Sequence, residues 1–335
     1  MDINSKKVVI MMATYNGEKY IQDQIESLQN QTFTNWELYI SDDNSTDRTV
    51  DIIKNIQNKE DRIKKIIRND SSYHGAYANY FNILYYVKKN CNKYDYYFYC
   101  DQDDVWLPNK IEDEVKGLVN IENKYSRTTP AFVYCDLELC DPKCNPIHDK
   151  MSNHIRNQFV NNPYNTFFKE QYVWGTSMAH NIALWNLLFI EDPNKVGNIV
   201  THDGYISRYA AVYGKIKYIS KPLILYRRTN NNVSGTPGTY KIISQKLLKL
   251  PTLIRNAANV YWGSLYFAYH VPKETTVIKD LKKCFRSGKN IRKFFIKYNI
   301  LKNERVLGKL STNVIMYTKL YKFVFPFNQN KIKYR

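Results

Sequence analysis

The sequence predicts an α/β fold, a mostly parallel sheet flanked by helices, followed by a basic α-helical C-terminal extension. Three observations carry this. Apolar β-prone runs alternate with segments of helical periodicity from the N-terminus onward. Carboxylates cluster directly after two of those runs, at Asp42-Asp43 and at Asp101-Gln102-Asp103-Asp104. The charge is divided along the chain: residues 1–240 carry 28 basic and 28 acidic side chains, whereas residues 241–335 carry 21 and 3, so the whole net charge of +18 lies in the final segment. This division excludes a uniformly basic nucleic-acid coat protein and points to a neutral working domain joined to a segment that meets something anionic. With 44% hydrophobic and 15% aromatic residues in 335, the chain is no disordered polymer and has ample length for a core.

Taken in order, Lys7 to Ala13 reads as a strand, Asn16-Gly17 as a turn, and Tyr20, Ile21, Gln24, Ile25 and Leu28 as one face of a helix. Trp36 to Ser41 is a second strand, Thr46 to Ile56 a helix, Lys64 to Ile67 a short strand, Ala76 to Val87 a helix and Tyr94 to Cys100 a strongly β-prone run. A helix from Pro108 to Val119 and a strand from Ala131 to Leu137 follow. Cys140 to Thr166, rich in Asn, Asp, Pro and His, reads as a long loop. Trp174 to His180 returns as a strand, Asn181 to Phe189 and His202 to Tyr213 as helices, and Lys215 to Arg227 as two short strands around Pro222. From Tyr240 the pattern is helical and basic. The boundary is placed near Gly235 to Gly238, giving domains 1–238 and 239–335.

Met1 to Lys7 is polar and no run of about 18 apolar residues occurs, so neither a secretory leader nor a membrane span is expected. Six dispersed cysteines then fit reduced thiols in a cytoplasm, and Cys135, Cys140 and Cys144 lack the spacing of a zinc set.

In a parallel sheet, ligands bind beyond the carboxyl ends of the strands. Asp101 and Asp103, spaced i and i+2 at such an end, either hold a divalent cation that also takes diphosphate oxygens or make a solvated turn. Asp42 to Asp47 opens a helix. Ser45 or Thr46 serves as its cap, which leaves Asp43 to accept the N3–H of a pyrimidine base.

Taken together, Met12-Ala13-Thr14-Tyr15-Asn16-Gly17, Ser27-Leu28 with Gln31-Thr32, Trp36-Glu37-Leu38, Ser41 to Asp47 and Asp101-Gln102-Asp103-Asp104-Val105-Trp106 resemble a family 2 glycosyltransferase of the GT-A fold, over about residues 6–235. The run from Asp101 through Trp106, Pro108 and Lys110 is most similar to rhamnosyltransferase-like members, which build bacterial surface polysaccharides.

The resemblance implies a base pocket at Ala13 and Tyr15, with Asp43 reading uracil or thymine and Arg68, Asn69, Gly75 and Asn79 closing over the nucleotide. It implies Asp101 near ribose and sugar, Asp103 with Asp101 as ligands for Mn²⁺ or Mg²⁺, and an acceptor side formed by Trp174, Gly175, Thr176 and His202. Asp203 falls at the place of the family's catalytic base. Tyr226, Arg227, Asn231, Asn232, Val233 and Gly235 match a further family segment. Where that segment carries a metal-capable His this chain has Thr229, so Arg227 or Arg228 is expected to neutralise diphosphate instead.

The implied reaction is inverting transfer from a UDP- or dTDP-sugar, including a rhamnose-like one, to a lipid-linked saccharide. The expected location is cytoplasmic and peripheral, on the inner face of the plasma membrane. Ile291, Phe294, Phe295 and Tyr298 recur at i, i+3, i+4 and i+7 between Arg292, Lys293 and Lys297, a basic amphipathic helix whose apolar face either docks on an anionic membrane surface, which the charge favours, or packs on the catalytic domain. The competing readings are a catalytically inactive nucleotide-sugar-binding module and a nucleic-acid binder acting through the tail. The neutral domain with its strand-end acids argues against nucleic acid as a partner.

Overall fold

The computed structural model describes residues 3–155, 157–169, 173–196, 200–229, 250–287, 289–302, 306–320 and 322. The proposed boundary near Gly235 to Gly238 and the matches at Asn231, Asn232, Val233 and Gly235 lie outside the described residues.

Strands β1 (Val8–Thr14), β2 (Trp36–Asp42), β3 (Ile63–Arg68) and β4 (Tyr96–Asp101) pair in parallel in the order β3-β2-β1-β4. Helices α1 (Ile21–Gln29), α2 (Thr49–Gln57) and α3 (Ala76–Asn90) make the crossovers. After β5 (Val105–Trp106) and α4 (Lys110–Lys124), the sheet continues through β6 (Ala131–Cys140), β7 (Pro146–Lys150), β8 (Met178–Asn181) and β9 (Lys215–Arg227). Here β8 lies antiparallel to both β4 and β6, β9 runs parallel to β6, and β7 and β5 pair antiparallel at the margins. The sheet is therefore mixed, its parallel half holding the two acidic strand ends. Helices α5 (Ile182–Leu187), α6 (Pro193–Val196) and α7 (His202–Tyr213) follow β8.

Central strands are buried on both faces, as their unbroken apolar sequences require. In β1, Val9 and Met11 face one core with Tyr97, Tyr99 and Phe81, whereas Val8, Ile10 and Met12 face the other with Ile25, Leu38 and Phe98. The first core also takes in helices α8 (Leu250–Tyr269), α9 (Thr276–Arg286), α10 (Lys289–Lys297) and α11 (Val306–Thr318), through Tyr261, Phe267, Phe285, Phe294 and Met316.

Four expectations change. Cys140 to Thr166 is no bare loop: β7 forms a hairpin with β6, short 3₁₀ turns follow, and Phe159 is a core residue, as is Phe167 just beyond the stretch. Lys215–Arg227 is one strand, its register shifting against β6 around Pro222 where a proline donor is missing. Helix α2 starts at Thr49, and neither Ser45 nor Thr46 caps it. Instead Ser45 Oγ donates to Asp42 at 2.6 Å, and the Thr46 amide donates to Asn16 Oδ1 at 2.8 Å.

The fourth concerns α10. Its apolar face is already covered: Ile291 and Phe294 are buried, and Phe294 and Phe295 meet the Phe168 ring edge-on at 5.5 and 4.8 Å. Burying such a side chain contributes roughly 1.5–3 kcal/mol, so this face is held in the protein rather than offered to a membrane.

Candidate active site

Ala13 stands in register between Ser41 and Asp101, and Thr14 beside Asp42. The loops leaving β1, β2 and β4 therefore emerge side by side. Gln102 ties two of them together: its Oε1 accepts from the Tyr15 amide at 2.8 Å and its Nε2 donates to the Tyr15 carbonyl at 2.9 Å.

On the β2 side, a cleft of about 840 Å³ is lined by Tyr15, Asp43, Arg68, Asn69, His74 and Gly75, with Asn44, Asp70 and Ser71. Asp43 is its fixed acceptor. Oδ1 accepts from Asn69 Nδ2 at 2.7 Å and meets His74 Nδ1 at 2.8 Å, while Oδ2 accepts the Gly75 amide at 2.6 Å. Gly75 reaches that position with φ 101°, where a side chain would be strained. A carboxylate offers about four acceptor positions, so Asp43 keeps one on Oδ2 for a ligand. Arg68 stands exposed at the rim, bonded through Nε to Asn44 Oδ1 and 3.4 Å from Asp70. Asn79 does not line the cleft. It is buried and donates to the Thr14 and Ser41 carbonyls at 3.0 and 2.9 Å, holding β1 to β2. Ala13 lies beneath the loop, beside Asp101.

The carboxylates after β4 are not equivalent. Asp101 accepts a bond from Tyr80 Oη at 2.8 Å, and burial, with the charges of Asp103 and Asp203, pushes its pKa up to about 7. Burial also raises Asp103, against the pull of Arg227. Asp104 is fully buried and pushed well above the carboxylate range by burial and by its two acidic neighbours. It accepts the Arg227 amide at 3.3 Å, which makes it structural. Crowding of this kind is relieved by a cation. Among the described residues no three Asp, Glu, His or Cys side chains converge as a ligand set, so no third such side chain joins the expected pair, Asp101 and Asp103. Two hard oxygens, with substrate phosphates completing the shell, fit Mg²⁺ or Mn²⁺.

Arg227, expected on the diphosphate, is otherwise engaged. It is 2% exposed and donates to the Asp103 carbonyl, the Pro142 carbonyl and Asp23 Oδ2 at 2.9, 2.9 and 3.0 Å, stacked 4.5 Å from the Tyr20 ring. Arg228 is half-buried, and its amide donates to the Cys140 carbonyl at 2.9 Å.

The residues expected on the acceptor side gather around the start of α7. Thr201 caps that helix, its Oγ1 accepting the Gly204 amide at 3.2 Å, and this sets Asp203 in the first turn. The charge of Asp203 is among the smaller causes that raise Asp101. His202 is buried and stacks on Tyr80 with centroids 3.5 Å apart. Neither ring nitrogen has a hydrogen-bond partner among the described residues, and burial holds the imidazole neutral by lowering its pKa to about 4. Gly175 makes room for it, since a Cβ there would strike His202 Nε2. Thr176 is buried and accepts from Trp106 Nε1 at 3.2 Å, and Trp174 is half-buried beside it.

Sequence reasoning passed over His74, Gln102 and Tyr80. The only signal for His74 was its place beside Gly75 at a helix start. Gln102 carried one too, as the middle residue of an acidic triplet.

Residues 9–175 match the family described as glycosyl transferase family 2. The dTDP-rhamnosyl transferase RfbG of Shigella flexneri is 29% identical over 249 residues, 73% of this chain and 79% of that one. The UDP-Glc:alpha-D-GlcNAc-diphosphoundecaprenol beta-1,3-glucosyltransferase WfgD of Escherichia coli is 32% identical over 132 residues, 39% of this chain and 46% of its own. An uncharacterized glycosyltransferase of Haemophilus influenzae is 30% identical over 41% of this chain. The chain spans about half the length of these last two relatives. Among solved structures, S. aureus TarS 1–349 in complex with UDP-GlcNAc superposes with a TM-score of 0.52 at 14% identity, covering 95% of this chain and 82% of that one. The fold is GT-A.

Proposed function

The chain belongs to glycosyl transferase family 2, and from that premise we propose that it moves one sugar, with inversion, from a UDP- or dTDP-sugar to a lipid-linked saccharide. Likeness to a dTDP-rhamnosyl transferase along most of the chain favours a rhamnose-like donor, and a diphosphoundecaprenol-linked acceptor is in the printed name of a second relative. The observation that supports the reading is a cleft beyond the carboxyl end of β2 lined by a fixed carboxylate, Asp43, with the acid-bearing end of β4 two strands away across β1.

Asp43 accepts the N3–H of the base, and Tyr15, positioned by Gln102, covers the base. Arg228 offers its guanidinium to the diphosphate, a bidentate match of opposite charge. Asp103 and Asp101 would hold a divalent cation, which would supply positive charge to offset that of the diphosphate. Asp203 takes the proton of the acceptor hydroxyl, whose oxygen bonds to the anomeric carbon as the bond to the diphosphate breaks. His202, neutral, leaves that proton to Asp203.

Among the described residues no helix is long and apolar enough to cross a membrane. We propose that the chain works peripherally on the inner face of the cytoplasmic membrane, where such an acceptor is displayed. A panel of UDP-, dTDP- and GDP-sugars, titrated with and without Mn²⁺ and then assayed for transfer, tests the reading. Tight metal-dependent binding of a uridine or thymidine donor with turnover supports it, binding without turnover indicates an inactive module, and preference for GDP contradicts the role of Asp43.

A further inference from the structure

Helix α11 is apolar on two sides. Ile315 and Met316 enter the core, yet Leu310, Val314 and Tyr317, at i, i+4 and i+7, face solvent, Tyr317 with 68% of its surface exposed. Leu320 continues that exposure just past the helix, and Ile296 on the neighbouring α10 is also 68% exposed. Of the ten large apolar side chains exposed among the described residues, these five fall between positions 296 and 320, so the exposure is concentrated rather than scattered.

Charge identifies what meets this stripe. Arg292 and Lys293 are exposed one turn before Ile296. Of the three acidic residues after position 240, Asp280 is paired with Lys297 at 2.7 Å and Glu274 with Lys282 at 2.9 Å. Apolar side chains set in a strongly cationic segment match the two components of an anionic phospholipid surface, acyl chains below charged headgroups. Nucleic acid uses the charge and leaves the aliphatic stripe in water, and two copies of this chain meet with like charges.

We propose that α11, through Leu310, Val314 and Tyr317, with Ile296 and Leu320, is the surface that inserts into an anionic bilayer, in place of the covered face of α10. This deepens the peripheral location proposed above and rests on it. Vesicle binding uses neither donor nor acceptor, so its failure leaves the transfer reading standing, and failure of donor binding leaves this surface untouched.

The test is flotation of the full chain with phosphatidylcholine vesicles, with and without phosphatidylglycerol, at low and high salt. The variants are Leu310→Ser/Val314→Ser/Tyr317→Ser, Tyr317→Ser alone, and Arg292→Glu/Lys293→Glu, with circular dichroism and nucleotide affinity as checks on folding. Wild type should float only with phosphatidylglycerol, and high salt should release it. The triple variant should bind about tenfold more weakly or less, Tyr317→Ser should show part of that loss even if the triple variant fails to fold, and the charge reversal should weaken binding most at low salt. Wild type remaining unbound, or a folded triple variant floating as well as wild type, overturns the proposal. So does a wild-type dimer that the triple variant converts to monomer, which assigns the stripe to contact between copies.

Discussion

Arg227 donates from Nε to the backbone carbonyl of Asp103 at 2.9 Å, so the side chain that sequence placed on the substrate instead fixes the loop that carries the acids. The neighbouring Arg228 is half-buried and carries the proposed contact to diphosphate. Arg227→Ala should lower stability by about 2–4 kcal/mol, since it strips a buried hub of hydrogen bonds. Arg228→Ala should leave stability within about 0.5 kcal/mol but weaken diphosphate binding about tenfold or more. Thermal unfolding and UDP titration on both variants separate the roles, and an exchange of the two phenotypes contradicts them.

Asp103→Ala should abolish the metal dependence of donor binding. Among the described residues no third Asp, Glu, His or Cys side chain joins Asp101 and Asp103, so removing one of the proposed pair leaves a cation weakly held. Calorimetry of UDP or dTDP with and without Mn²⁺ measures this; unchanged affinity and metal response would remove Asp103 from the ligand set.

Gly175→Ala should cost about 1–3 kcal/mol by forcing the His202 ring from its place on Tyr80, and should slow transfer while leaving nucleotide affinity intact. Comparison of kcat with donor affinity reads this out. A fully active variant would mean that the ring has room elsewhere.

Burial depresses His180 to about 3 and His202 to about 4, below the roughly 6.5 of an unfolded chain. Between those values the unfolded state binds more protons, so what these neutral rings contribute is complete above about pH 6.5 and is lost as pH falls toward 4. Asp101 acts in the opposite sense: raised to about 7 by burial, it holds its proton in the fold where the unfolded chain has released it, so acidification from 7 toward 4 favours the fold. The wild-type profile sums these, and His180→Gln isolates one. That variant should be less stable at neutral pH but should escape roughly 2 kcal/mol of the loss between about pH 7 and 5. Urea unfolding at the two pH values measures the difference, and parallel losses in both proteins contradict it.

What sequence revealed was whatever depends on local pattern. Helix α7 begins and ends where expected because Thr201 caps it and Gly214 stops it, and both acidic clusters stand at strand ends because hydrophobic runs mark the strands that carry them. What it hid depends on distant partners. Phe159 and Phe167 have no periodicity around them and become core only through distant partners, Phe159 against Phe132 and Tyr134 of β6 and Phe167 against Phe267 a hundred residues later. The amphipathic pattern of α10 was legible, but no local signal says that Phe168 occupies its face. Likewise Arg227 and Arg228 look alike in sequence, and only burial separates them.

The most direct measurement is single-turnover transfer by Asp203→Asn beside wild type, with donor affinity determined on the same samples. The amide is nearly isosteric but cannot take the acceptor's proton, so donor affinity should be unchanged while transfer falls by about 10² to 10⁴. Transfer at the wild-type rate would contradict the account, reducing Asp203 to a helix-terminal charge and moving the base elsewhere.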